Sequence, residues 1–131
     1  MSFGAELRAL IDKARGDVDR AVRQSVVLAT QSLVLRSPVD TGRFRANWVM
    51  GVGSMNLSTS LTTSKDGSAA IERIANQMQA QEGGAVFYIT NSLPYARPLE
   101  YGHSNQAPNG MVRLTVVELP NLIKTYAEGL Q

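Results

Sequence analysis

The chain has 131 residues, 44% of them apolar and 18% charged, which fits one folded domain with a single modest core and excludes a disordered chain. Ten arginines and three lysines are nearly balanced by eleven acids, so the net charge is only +2 despite a sequence pI of about 9.2; this balance argues against nucleic acid as the main partner. Cysteine is absent, which excludes disulfides and thiolate chemistry and fits folding in a cytoplasm, and no apolar run approaches the ~18 residues of a membrane helix.

The N-terminus lacks the basic and apolar regions of a secretory signal, and the first third reads as one helix over residues 1–36. Phe3, Leu7, Leu10, Ile11, Ala14, Val18, Ala21, Val22, Val26, Ala29 and Leu33 recur at the three-and-four spacing of a buried stripe. Arg8, Asp12, Arg15, Asp19 and Arg23 lie opposite, placed to pair along the surface. Gly16 weakens the middle, and Pro38 ends the helix by pushing Ser37 out of helical geometry. Thirty-odd residues at 1.5 Å rise span ~50 Å, whereas a compact domain of this size is about 36 Å across. Either the helix breaks near Gly16 or its end packs on another subunit.

After a turn at Ser37 to Gly42, residues 43–92 are expected to hold strands, a loop and a short helix. Phe44, Ala46, Trp48, Met50 and Val52 alternate with smaller or polar residues, the pattern of a half-buried strand. The Ser/Thr-rich stretch from Gly53 to Gly67 holds either a second strand through Leu57, Thr59 and Leu61 or a loop or arm. Ser68 reads as the cap of a helix running to about Gln81 and closed by Gly83 and Gly84. Ala85 to Asn91 forms a strand with Phe87 and Ile89 on one face and Val86 and Tyr88 on the other. Residues 93–110, rich in proline and glycine, are irregular with room for one helical turn. In residues 111–131, Val112, Leu114 and Val116 alternate like a strand, yet Val112, Val116, Leu119, Ile123, Tyr126 and Leu130 fit a helix, bent or restarted at Pro120, which is the favoured reading. The whole is a single α+β domain: a long N-terminal helix on a small antiparallel sheet, a short middle helix and a C-terminal helix.

Enzyme signatures are absent. Asp40-Thr41-Gly42 matches the aspartic-protease tripeptide, but a helix end leads into it and Arg43 and Arg45 follow, which favours ionised carboxylates rather than a shared proton. Its better reading is a turn in which the Asp40 carboxylate bonds local backbone. His103 is the single histidine and has no nucleophile motif beside it, and one histidine without cysteine makes no metal site. Arg15-Gly16-Asp17 lies inside the helical pattern and cannot present an adhesion loop. No catalytic residue, cofactor site or metal site is expected.

Two clusters remain: Ser37-Pro38-Val39-Asp40-Thr41-Gly42-Arg43 leading to Trp48, and Tyr88 to Gly102 with Asn91, Leu93-Pro94-Tyr95 and Leu99-Glu100, followed by Ala107-Pro108-Asn109-Gly110-Met111-Val112. In order and spacing they resemble the tail-completion, or minor tail-component, family of long-tailed bacteriophages, from about Ser37 to Val117. The chain departs from that family at His103, where an aromatic residue is usual, and at Pro120. The resemblance implies a structural virion protein made in the host cytoplasm. It would form a ring, expected to be hexameric, between the portal or connector assembly and the tail terminator or tail tube. Genomic DNA would pass through the lumen without sequence-specific binding, and no membrane would be involved. The adjacent role of tail terminator and, more remotely, a small DNA-binding module are the alternatives. Arg43, Trp48, Tyr95, Arg97, Glu100 and Tyr101 are the candidate interface residues, with Arg43 or Arg97 pairing with Glu100 of the adjacent subunit; Trp48 as core and the tyrosines as loop cover are the competing view.

Overall fold

A computed structural model describes residues 3–81 and 85–129. The expected closing glycines, Gly83 and Gly84, and Leu130 lie outside them. The order is α1 (Phe3–Arg36), α2 (Arg43–Ala46), β1 (Val49–Val52), α3 (Ser68–Gln79), β2 (Phe87–Thr90), α4 (Ala96–Glu100) and α5 (Val112–Gly129). The two strands form one antiparallel sheet, with Met50 opposite Ile89 and Val52 opposite Phe87. The fold is therefore the expected α+β arrangement. Among the described residues no helix is long and apolar enough to cross a membrane.

Helix α1 runs unbroken through Gly16 and spans ~50 Å. Its neighbours within the chain are chiefly α3 and α5. Leu33 and Val34 join Phe44, Trp48, Ala70, Leu93, Ala107 and Met111 in the main core. Val26 reaches a second cluster of Met50, Ile74 and Met78 under the sheet. Residues 4–14 are all exposed, so the apolar stripe expected to be buried along the whole helix is buried only at one end. The surface pairing differs as well: Arg20 pairs with Asp17, while the Arg23 guanidinium donates to the Gln81 carbonyl, 3.0 Å from Nε.

The helix ends in a network that the sequence reading did not contain. Ser37 Oγ donates back to the Leu33 carbonyl at 2.6 Å and accepts from Trp48 Nε1 at 2.8 Å. Arg45 donates to the carbonyls of Leu35 and Ser37, each at 3.0 Å, and to that of Lys65 at 2.9 Å. A guanidinium on the last carbonyls satisfies groups that the helix leaves unpaired and faces the negative end of its dipole.

The alternation from Phe44 to Val52 makes a strand only in its second half. Arg43–Ala46 is a helical turn, with Gly42 at its start in the left-handed region, φ 89°. A Cβ at Gly42 would lie 2.6 Å from Lys65 N, so glycine is required twice over. Asn47, almost fully buried, closes the turn by donating to the Arg43 carbonyl at 2.7 Å. Phe44, Ala46, Trp48 and Met50 are still buried, as the alternation implied, but Val52 at the end of β1 is exposed. Residues 57–61 form no strand. The start of α3 is capped from Asp66 and Ser64 rather than Ser68: Asp66 Oδ1 accepts from Ser68 N at 3.0 Å, and Ser64 Oγ accepts from Ala69 N at 3.2 Å. Hydrogen bonds from Ser68 and Ser64 hold the Asp66 carboxyl below its ordinary range. Residues 112–129 are helix throughout, with Pro120 inside.

Candidate functional site

The two sequence clusters meet in space. The turn after α1 and the segment around α4 enclose an open hollow of about 620 Å³ with Phe44, Tyr95 and Leu99 among its apolar walls and Asp40, Arg43 and His103 among its charged or polar lining. Phe44 sits between two aromatic rings, edge-on to Trp48 at 5.9 Å and tilted against Tyr95 at 5.7 Å. Gln106 ties the two segments together. Its amide donates to the Val39 carbonyl at 3.0 Å and accepts from Val39 N at 2.9 Å, as a paired strand would. Asn91 adds a bond from Nδ2 to the Phe44 carbonyl at 2.8 Å.

Of the six candidate interface residues, Tyr95 and Arg43 border this hollow. Arg43 is already bonded through Nε to the Ser60 carbonyl at 2.9 Å. Arg97 and Tyr101 are exposed, and the Arg113 guanidinium lies over the Tyr101 ring, 5.4 Å from its centre. Trp48 is 4% exposed and belongs to the core. Its N–H is satisfied by Ser37, which leaves neither its face nor its polar edge for a partner.

Glu100 has a different role from the expected one. Its Oε1 accepts from the backbone N–H groups of Met111 at 2.8 Å and Val112 at 2.7 Å. Its Oε2 accepts from Arg113 N at 3.2 Å and Arg113 Nε at 3.1 Å. Four donors fill the acceptor capacity of one carboxylate. The expected pairing with Arg43 or Arg97 of an adjacent subunit is therefore corrected: this carboxylate caps α5 of its own chain. Partial burial pushes the Glu100 carboxyl up, but the bonds from Val112, Met111 and Arg113 outweigh it and hold the group below its ordinary range. Gly110 (φ 83°) makes the approach possible, because a Cβ there would fall 2.4 Å from the Glu100 carbonyl oxygen.

Asp40 is exposed, and among the described residues no hydrogen bond reaches its carboxylate; Thr41 Oγ1 instead accepts from Arg43 N at 3.2 Å. The turn is local, as expected, but its polar anchor is the threonine. His103 lines the hollow and is exposed, with its backbone N–H donating to the Pro98 carbonyl at 3.1 Å. Among the described residues no His, Asp and Glu side chains gather as a metal site. The hollow can seat an apolar side chain against aromatic walls.

A second candidate surface was legible only as a length mismatch. The projecting part of α1 carries Leu7, Leu10, Ile11 and Val18, all exposed on one stripe. No protein-family model matches the chain, and neither a curated protein nor a solved structure matches it.

Proposed function

We propose that the chain is a structural subunit of a long-tailed bacteriophage, assembling with copies of itself into a ring at the head-to-tail junction. In this reading it joins the portal or connector assembly to the tail tube, lets DNA through its lumen, and works by binding rather than catalysis. The observation that carries self-assembly is the projecting half of α1. Four large apolar side chains stand on a helix segment that its own domain does not cover. Contiguous exposed apolar surface of this kind marks interaction sites. The placement in a phage neck rests on the two sequence clusters, which the fold brings to one hollow.

The test is mass by light scattering on the full chain over a concentration series, with negative-stain images of any large species. A closed ring with a hole wide enough for duplex DNA, ~20 Å across, is the expected result. Growth into open filaments, or compact particles without a hole, would remove the ring from the proposal.

A further inference from the structure

The stripe on the projecting part of α1 has a period that selects its partner. Leu7, Ile11, Ala14, Val18 and Ala21 follow one another at intervals of 4, 3, 4 and 3 residues. That rhythm keeps one seam turned toward a second helix. It continues through Ser25 to Leu28, Ser32 and Leu35, and there α5 lies alongside. Leu28, Ser32 and Leu35 of α1 and Leu122 of α5 line an open furrow of about 310 Å³. Ser32 Oγ and Thr115 Oγ1 share a hydrogen bond of 2.8 Å between the helices. Arg36 pairs with Glu118 at the furrow, and Leu35 is left 56% exposed.

We infer that the projecting segment Gly4–Val18 of one copy lies in the α1–α5 furrow of a second copy. This inference rests on the self-assembly proposed above and names the surface that receives the helix. An amphipathic helix fills an apolar furrow with residues one turn apart, and Leu7 and Ile11 are so spaced. The charges do not oppose the contact: Arg36 and Glu118, paired with each other at the furrow, cancel, as Arg8 and Asp12 do beside Leu7 and Ile11. Within one chain the projecting segment and the furrow are different stretches of surface. A contact between them is heterologous, the kind that closes into rings when the rotation allows.

The size of the contact favours a closed assembly over an isolated pair. A 15-residue segment is about 22 Å long, and half of a ~10 Å-wide cylinder of that length covers roughly 350 Å² on each side. The total of roughly 700 Å² is below the ~1,200 Å² of a stable pair. In a ring each copy makes two such contacts, and releasing one copy breaks both at once. Small open oligomers are therefore sparse, and closed species dominate.

The absence of cysteine makes the contact easy to trap. Ile11→Cys and Leu35→Cys are placed on separate full-length chains, mixed under oxidised glutathione, and followed by non-reducing electrophoresis. Both sites are exposed, and circular dichroism checks that the fold is kept. The expected result is a disulfide-linked heterodimer that forms about tenfold faster than with Leu57→Cys, an exposed control, as the partner of Ile11→Cys. A single chain carrying both substitutions should give a ladder that ends at one closed size. Equal trapping by Leu57→Cys would overturn the contact, as would no trapping at any concentration. Fast linkage of Ile11→Cys to itself would show projecting helices pairing with each other, ending the furrow assignment but keeping self-assembly. A ladder without an upper end would keep the contact and remove the ring.

Discussion

Glu100 shows how one side chain can be read correctly for type and wrongly for place. A carboxylate between two exposed aromatic or basic residues suits a subunit interface, yet here it receives the first N–H groups of α5. Nothing in the spacing of residues 100 and 112 announces this, because the left-handed turns at Gly102 and Gly110 bring the two together. The folded carboxyl is held below its ordinary range, so its contribution to stability is present above that range. The contribution is lost as pH falls through the lowered folded value. Glu100→Gln should cost about 1–2 kcal/mol at neutral pH. Urea unfolding should show the gap between variant and parent narrowing as pH falls below the ordinary carboxylate range; a gap that stays constant with pH would remove the ionised cap. Trp48 poses the opposite case, since tryptophan suits cores and interfaces alike and only burial decides. Trp48→Phe loses the bond to Ser37 and leaves a void, and should cost about 2–3 kcal/mol. The mass of assembled species, measured by light scattering under conditions where the variant is folded, should not change. A variant of parental stability that no longer assembles would return Trp48 to the interface.

At the scale of elements, what could be read from the chain was what depends on period and length. The helical period and the stop at Pro38 give α1 its bounds, while the length arithmetic leaves a break near Gly16 or an overhang, and the unbroken helix decides for the second. The α2 turn was not legible, because Phe44, Ala46, Trp48 and Met50 are all buried and so alternate as a strand would. The chain bends instead because Gly42 is left-handed and Asn47 bonds back to Arg43, a tertiary choice in which Ser60 shares: its N–H donates to Asn47 Oδ1 at 2.8 Å. Over Val112 to Val117 two periods overlap in the sequence, and packing on α1 decides for helix. Gly16 invites a test of the projecting segment. A Cβ there meets nothing within 4 Å, so Gly16→Ala should favour local helix by about 1 kcal/mol. Because the segment lies outside the core, the gain should appear as roughly fivefold slower amide exchange over residues 4–20, not as a higher melting temperature. Faster exchange, or a loss of assembly, would mean that the glycine serves as a needed bend.

For the whole molecule, the two proposed surfaces make different demands on charge. In the proposed ring, contacts between copies would be built on leucine, isoleucine and valine, while the lumen would have to let a polyanion slide. Four of the 13 cations are tied in ion pairs among the described residues, Arg20, Arg36, Arg113 and Lys124, and the net charge is only +2. Counterion release scales with the number of phosphates neutralised, so a chain whose cations are nearly balanced by its acids is expected to bind duplex DNA weakly and with a shallow salt slope. The assembly itself should be nearly indifferent to salt, since screening weakens exposed ion pairs and leaves apolar burial intact. Light scattering from about 0.05 to about 0.5 M salt should therefore give one assembled mass. Fluorescence anisotropy with a labelled duplex should give a Kd no tighter than ~10⁻⁴ M at ~0.15 M salt. Micromolar binding that collapses as salt rises would mean that the arginines gather on one face, and the chain would then be better read as a nucleic-acid-binding module.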